Sequence, residues 1–414
     1  MKVLLLNQTF YPDVAATAQH AADLASELSA RGHRVTVIAS RRAHDDPYRR
    51  LEKLEIWRGV RIVRISQSGF GKASRWRRAT DSATFLGACA LQLTRSAQFD
   101  AVIALTSPPL ISLLAVVFTR IRGGRLVYWV LDLNPDEAVA AGWLRADSWI
   151  AALLNALSTY TLRAADRVIV LDRFMKERIC SKGVPDHKVR VIPPWSHNRA
   201  VRYEPDDRLS FRKAHGLTNK FVIMYSGNHS PCHPLDTLLE SARMLAVRRE
   251  FAFCFIGGGS EFQKVREFAN RYNLTNVLCL PYQPLSKLSA SLSAADLQVV
   301  LMGNMFRGIV HPCKIYNILS LGAPVLYVGP APSHITELVT ESAHGSWFYH
   351  SEHGSAAALA QRILEAQKSS VRRTRDEIRV AGEFSQEVLI PKLIEEIELT
   401  RMPYAVAAGL SLTA

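Results

Sequence analysis

The chain has 414 residues, 48% hydrophobic and 21% charged, with a formal net charge of +14 at pH 7. This length accommodates two domains with separate cores, and the composition excludes extended disorder. Residues 1–200 carry 29 Lys and Arg against 17 Asp and Glu, a net +12, whereas residues 201–414 carry 22 against 20, a net +2. The first half is therefore expected either to face an anionic partner (nucleic acid, acidic lipid or an anionic substrate) or to be arginine-rich for solubility.

The start, "MKVLLLNQTFYP", does not read as a signal peptide, because its apolar run breaks at Asn7-Gln8. "PLISLLAVVF" (109–118) is too short to span a bilayer, which takes ~20 residues. The six cysteines show no C-x-x-C pair or zinc-like spacing, so reduced thiols are expected.

In chain order, residues 1–7 read as a buried strand, and the helical spacing after them ends at Gly32. "RVTVIAS" (34–40) is the next strand, completing a β-α-β unit that predicts a parallel sheet covered by helices. Strands follow at 99–105, 124–132, 166–172 and 188–194, with helices over 108–119, 146–164 and 173–182 between them. Segment 196–209 is polar and contains Pro205-Asp206-Asp207, which predicts a domain boundary in an irregular stretch. The rhythm restarts with strands at 221–227, 251–259, 276–282, 297–302 and 324–329. Helices are expected over 234–248 and 260–272, with a last one over 385–399 kinked at Pro391. The predicted fold class is α/β, with two Rossmann-like parallel-sheet domains, 1–200 and 201–384, facing a central cleft, then a helix and tail over 385–414.

Several stretches carry chemistry. Neither G-x-G-x-x-G after the first strand nor G-x-x-x-x-G-K-[ST] occurs, which argues against a dinucleotide-dependent dehydrogenase and a P-loop. "IGGGSEF" (256–262) reads either as backbone amides open to an anion at a helix start or as a tight turn. It makes Gly257, Gly258 and Gly259 candidates for ligand binding. "YSGNHSPCHPLDTLLESA" (225–242) crowds Gly227, Asn228, His229 and His233 into a similar turn. Pro231, and no third ligand nearby, argue against a metal there. "YWVLDLNPDEAVAAGW" (128–143) ends a strand in Asp132, Asp136 and Glu137; Asp132 is the candidate proton acceptor, and Asp136 or Glu137 could instead serve a helix start. "SRWRRATDSATFLGACALQLTR" (74–95) sets Trp76 among Arg75, Arg77 and Arg78, which suits a lipid interface as well as a core helix with a solvated basic start. "GIVHPCKIYNILSLGAPV" (308–325) places Lys314 at the mouth of an apolar helix, with His311 and Asn317 beside it.

These pieces, in this order and together with "LLLNQTFYPDVAATAQHAADLASELSARGHRVTVIA", "ADRVIVLD" and "KVRVIPP", resemble the retaining glycosyltransferases of family 4, which have the two-domain GT-B fold. The resemblance covers almost the whole chain and is greatest to the branch that builds cell-surface polysaccharides. It implies a transferase, taking a sugar from a nucleotide-diphosphate donor to a lipid-linked saccharide, with Thr17, Gln19, His20 and Asp136 on the acceptor side. Where the family carries a loop arginine and lysine for the diphosphate, this chain has Asn228 and His233; where it carries two glutamates, this chain has Ile309 and Asn317. With those loop cations absent, Lys314 and Arg307 are the expected source of charge for the diphosphate. No D-x-D occurs, so metal-independent catalysis without a cofactor is expected, on a cytoplasmic protein peripheral to the inner face of the membrane. The rival readings are a nucleotide-sugar epimerase and a non-catalytic sugar-nucleotide sensor or scaffold; nucleic-acid binding finds no supporting module.

Overall fold

A computed structural model describes residues 1–43, 46, 48–70, 75–196, 201–341, 347–369 and 381–399. The expected tail beyond Leu399 lies outside the described residues. The chain divides into two units, Met1–Pro193 with the described residues from Leu389, and Pro194–Val388. The division thus falls at Pro193/Pro194, ahead of the expected 200/201.

In the first unit the described strands are β1 (Lys2–Leu6), β2 (Arg34–Ser40), β3 (Leu54–Trp57), β4 (Val60–Ile65), β5 (Ala101–Ala104), β6 (Arg125–Trp129), β7 (Arg167–Val170) and β8 (Val189–Val191). They form one sheet in the order β3-β4-β2-β1-β5-β6-β7-β8. Its helices are α1 (Ala16–Ala30), α2 (Arg75–Thr94), α3 (Ile111–Arg122), α4 (Asp136–Ala140), α5 (Trp149–Ala164) and α6 (Arg173–Ser181). The central strands are continuous apolar runs because helices cover both faces: Val3 to Leu6 and Val102 to Leu105 are at most 1% exposed.

One edge departs from the all-parallel expectation. β3 pairs antiparallel with β4, Trp57 opposite Val60. The connection is a two-residue turn with positive φ at Arg58 (49°) and Gly59 (76°), the geometry that matches strand twist in a tight hairpin. Arg64 of β4 is buried and donates to Glu55 at 2.6 Å and to the Tyr11 carbonyl at 2.8 Å, so the hairpin is tied to the loop after β1.

The second unit opens with α7 (Pro205–Ala214), where an irregular segment was expected. Pro205 stands in the first turn with Asp206 and Asp207, and Arg212 and Lys213 in the last, so the starting proline and the dipole favour a helix despite its polarity. The strands β9 (Phe221–Asn228), β10 (Phe251–Gly258), β11 (Val277–Leu280), β12 (Leu297–Leu301), β13 (Val325–Val328) and β14 (Phe348–Ser351) are all parallel, in the order β11-β10-β9-β12-β13-β14. Helices α8 (Asp236–Met244), α9 (Phe262–Arg271), α10 (Leu288–Ser293), α11 (Lys314–Leu321), α12 (His334–Glu341) and α13 (Ala356–Lys368) cover it. The core joins Phe251, Phe253 and Phe255 of β10 to Leu238 and Leu239 of α8 and Leu359 and Ile363 of α13.

The last helix, α14 (Gln386–Leu399), continues through Pro391, and from Leu389 it is counted with the first unit. There Glu396 binds Arg167 at 2.9 Å and Arg190 at 3.2 Å, and His33 lies 2.9 Å from Glu398. Among the described residues no helix is long and apolar enough to cross a membrane.

Candidate functional site

The glycine-rich segments of the second unit lie side by side because β9 and β10 are parallel and in register. Gly227 stands opposite Gly257, and Asn228 opposite Gly258. The backbones approach so closely that a Cβ on Gly257, at φ +138°, would fall 2.0 Å from the Gly227 carbonyl oxygen. The His229 amide donates to the Gly258 carbonyl (2.7 Å), and the Glu261 amide to the His229 carbonyl (3.1 Å), just ahead of α9. Gly259 packs against the His229 carbonyl, and the Tyr282 ring lies over Gly258.

Lys314 reaches this loop pair from the first residue of α11, a helix closed at its far end by Gly322 in the left-handed conformation. Its Nζ lies 3.4 Å from the centroid of the Tyr225 ring, and a Cβ on Gly227 would stand 3.3 Å from it. The stem of Lys314 is partly exposed, but Nζ is buried and has no hydrogen-bond partner among the described residues. A buried ammonium without a partner is costly, and burial pushes Lys314 well below the usual lysine value. The Tyr225 face offsets part of that cost.

Two histidines complete the cluster. His229 Nδ1 donates to the Gly227 carbonyl at 3.0 Å, and His233 Nδ1 to the Leu301 carbonyl at 2.8 Å. Burial first, then the Lys314 charge, push His229 down to about 4 and His233 to about 3, so both are neutral near pH 7. His229 Nε2 is buried with no hydrogen-bond partner among the described residues. With its proton on Nδ1, the neutral His229 ring presents an acceptor at Nε2, so the unsatisfied donor beside the glycine-rich helix start is Lys314 Nζ, which suits an oxyanion.

Other candidates of the second unit make different contacts. Arg307 is exposed and donates to the Pro332 carbonyl at 3.3 Å. His311 is buried, 2.8 Å from the Tyr316 hydroxyl and stacked on His334. Asn317 lies one turn along α11 from Lys314 and is half-buried. Ile309, where the resembled family has a glutamate, is a buried core residue at 3% exposure.

In the first unit, Asp132 follows β6 by three residues. Burial, with the Glu137 charge second, raises its carboxyl to about 7. Asp136 is engaged by Lys182 at 2.8 Å and Arg178 at 3.2 Å, which ties α4 to α6. Thr17, Gln19 and His20 lie on α1 after β1, and β5 separates β1 from β6 in the sheet. Gln19 donates to the Val14 carbonyl at 2.6 Å, His20 is buried, and Thr17 is half-buried.

Tyr225 and Tyr282 were not singled out in the sequence. Tyr225 reads as one more large apolar residue of a buried strand, and only its spacing before Gly227 could have marked it.

Residues 16–195 match the family described as Glycosyl transferase 4-like domain, and residues 207–380 match Glycosyl transferases group 1. WbjE of Pseudomonas aeruginosa, named for glycosyltransferase activity, is 26% identical over 281 residues, 67% of this chain and 69% of its own. WcaI of Escherichia coli (strain K12), named for glycosyl transfer in colanic acid biosynthesis, is 24% identical over 357 residues, 82% of this chain and 86% of its own. Anabaena Alr3699/HepE in complex with UDP-glucose is similar in fold, with TM-score 0.71 at 15% identity, covering 96% of this chain and 99% of that one. Sucrose-phosphate synthase from Thermosynechococcus elongatus has TM-score 0.75 at 15% identity, covering 95% and 98%. With two α/β units built on parallel sheets and both halves matched, the chain belongs to the group 1 glycosyltransferases of GT-B fold.

Proposed function

We propose that this glycosyltransferase moves a sugar from a nucleoside-diphosphate donor to a lipid-linked saccharide in polysaccharide synthesis, at the cytoplasmic face of a membrane. The observation that carries the reading is the buried Lys314 Nζ, without a hydrogen-bond partner among the described residues, beside the paired glycine loops. The UDP-glucose bound to HepE and the colanic acid role in the name of WcaI support the same choice of donor and pathway class.

In this reading the second unit binds the nucleotide. Lys314, the amides around Gly257, Gly258 and Gly259, and the start of α9 receive the diphosphate, with Asn317 directed to the ribose. The bond from the sugar to the diphosphate breaks as an acceptor hydroxyl attacks the anomeric carbon. Lys314 then stabilises the charge gathering on the leaving diphosphate. Asp132, raised to about 7, takes the hydroxyl proton near neutral pH. Asp136, already paired with Lys182 and Arg178, braces the turn that carries Asp132. Retention of anomeric configuration follows the family resemblance, and metal independence follows the lack of D-x-D.

The test is NMR of products from UDP-, GDP- and ADP-sugars, with and without a bacterial lipid extract as acceptor. Release of nucleoside diphosphate that needs the extract and yields a new glycoside supports transfer. A rearranged sugar nucleotide without acceptor would indicate an epimerase, and binding with no turnover a sensor.

A further inference from the structure

Helix α5 turns its small and hydroxyl side chains inwards and its large apolar ones outwards. Its buried positions are Ala151, Ser158, Thr161 and Leu162, whereas Trp149 is 75% exposed and Leu153 49%. On the inner side the Ser158 hydroxyl donates to the Asn134 carbonyl at 2.8 Å, and the Ser112 hydroxyl of α3 donates to that of Thr161 at 3.4 Å. We propose that the outer face of α5, with the neighbouring stripe of α3, lies in the surface of a bilayer of anionic phospholipid. The proposal rests on the membrane reading above and names the surface that serves it.

Spacing makes the outer face continuous. Trp149, Leu153 and Tyr160 recur at helical intervals, so they form one stripe roughly 16 Å long at 1.5 Å per residue. In α3, Val117 and Ile121 stand one turn apart, and Ile121 is 74% exposed. The Arg120 guanidinium lies 5.3 Å from the centre of the Tyr160 ring, which brings the two stripes side by side. An ordinary surface helix places polar residues on this side. A contiguous apolar surface left in their place marks a site of interaction.

Charge and residue type select the partner. α3 and α5 contain Arg120, Arg122 and Arg163 and no Asp or Glu. Arg122 donates to the Thr94 carbonyl at 3.0 Å and Arg163 to the Lys182 carbonyl at 2.7 Å, bonds that do not neutralise a cation. Asp147, just ahead of α5, is paired with Arg145 at 2.7 Å. A second copy docked by two-fold symmetry would set these arginines against their own counterparts. Acidic headgroups would instead neutralise them. Trp and Tyr rings suit the headgroup level, and an arginine stem can lie along acyl chains while its guanidinium stays in water. With 16 residues, α5 falls short of the ~20 that span a bilayer, so it would lie in the plane of the interface.

The test is flotation of the full chain at low salt with phosphatidylglycerol vesicles and with phosphatidylcholine vesicles. The wild type should bind the former, and Leu153→Glu should weaken binding at least about tenfold, the effect of withdrawing one apolar side chain. Trp149→Ser should act alike, whereas Trp149→Phe should keep the affinity and lose part of the vesicle-induced blue shift of tryptophan fluorescence. Trp149 and Leu153 are exposed, so the melting temperature without vesicles should not move. Variants that bind as the wild type does overturn the face and leave the membrane reading intact. A wild type that binds neither vesicle overturns both, and equal binding to the two lipids overturns the anionic partner. A dimer, seen by sedimentation without vesicles, that Leu153→Glu dissociates makes the face a contact between copies and overturns the proposal. Vesicle binding through α5 by a chain that transfers no sugar upholds the face and overturns the transferase reading alone.

Discussion

Lys314 Nζ lies 3.4 Å from the centre of the Tyr225 ring, in a position where it meets no hydrogen-bond acceptor among the described residues. A ring face is a weak substitute for water around an ammonium, worth ~0.5–2 kcal/mol. Tyr225 is itself fixed, since its hydroxyl donates to the Asn228 carbonyl at 2.8 Å. The lysine is thus held beside the glycine loops by apolar contact and is left to be satisfied by what binds there.

Acid should destabilise the second unit through its two loop histidines. Folding holds His229 at about 4 and His233 at about 3, whereas an unfolded histidine titrates near ~6.5. Between those values the unfolded chain binds protons that the folded chain does not, so stability is full above about 6.5 and is lost as pH falls. The urea midpoint should drop from pH 7 to pH 5, and His233→Gln should flatten the slope. A midpoint that rises on acidification would contradict this charge state.

Asp132 makes a separate claim on the pH–rate profile. A carboxyl raised to about 7 is half-protonated near neutrality, so turnover by the wild type should fall as pH drops below 7. Asp132→Asn should lower kcat by about 100-fold or more, the usual worth of a general base, and leave nucleotide affinity unchanged. Steady-state kinetics beside nucleotide titration checks this. Lost nucleotide binding in a folded variant would remove Asp132 from proton transfer.

Gly257 and Gly87 should answer oppositely to alanine. At Gly257 the new methyl would collide with the Gly227 carbonyl oxygen at 2.0 Å, and the backbone is already in the left-handed region. Gly257→Ala should cost ~1–3 kcal/mol and weaken nucleotide binding with it. Gly87 lies within α2 with nothing within 4 Å of a Cβ, so Gly87→Ala should stabilise by ~0.5–1 kcal/mol. Denaturant titration of both variants gives the comparison.

α2 carries the membrane prediction. Trp76 is 84% exposed in its first turn, followed by exposed Arg77 and Arg78. Binding to anionic vesicles should be strong at low salt and fall steeply with ionic strength, at roughly 1 kcal/mol per basic residue near the surface. Trp76→Ala should weaken it, and equal flotation with neutral and anionic vesicles would remove the membrane from the account.

Most strands were legible because a parallel strand covered on both faces is a short apolar run bounded by turn residues. β2 is read in the sequence at its observed bounds, 34–40. The hairpin β3–β4 escaped notice because an edge strand alternates weakly, and Arg-Gly is an uncommon hairpin turn although both residues take positive φ. α7 was hidden by its polarity, since its starting proline and end charges rather than an apolar face favour it. In the site, glycines and Lys314 announce themselves by type and spacing. Tyr225 does not, because a strand residue that supports a lysine looks like any other core aromatic.

The central claim is that Lys314 waits for a diphosphate, and calorimetric titration of UDP and uridine (or the base that proves correct) into wild type and Lys314→Met tests it most directly. The apo variant should be at least as stable as wild type, because it loses a buried amine with no hydrogen-bond partner among the described residues. Its affinity for the nucleoside should hold, and its affinity for the nucleoside diphosphate should fall by the ~1.5–3 kcal/mol of a charge-assisted hydrogen bond, on the order of 10- to 150-fold. Lys314→Arg should recover only part of this, since a planar fork does not replace a point charge on the Tyr225 face. Diphosphate and nucleoside affinities that change together, or not at all, would contradict the account.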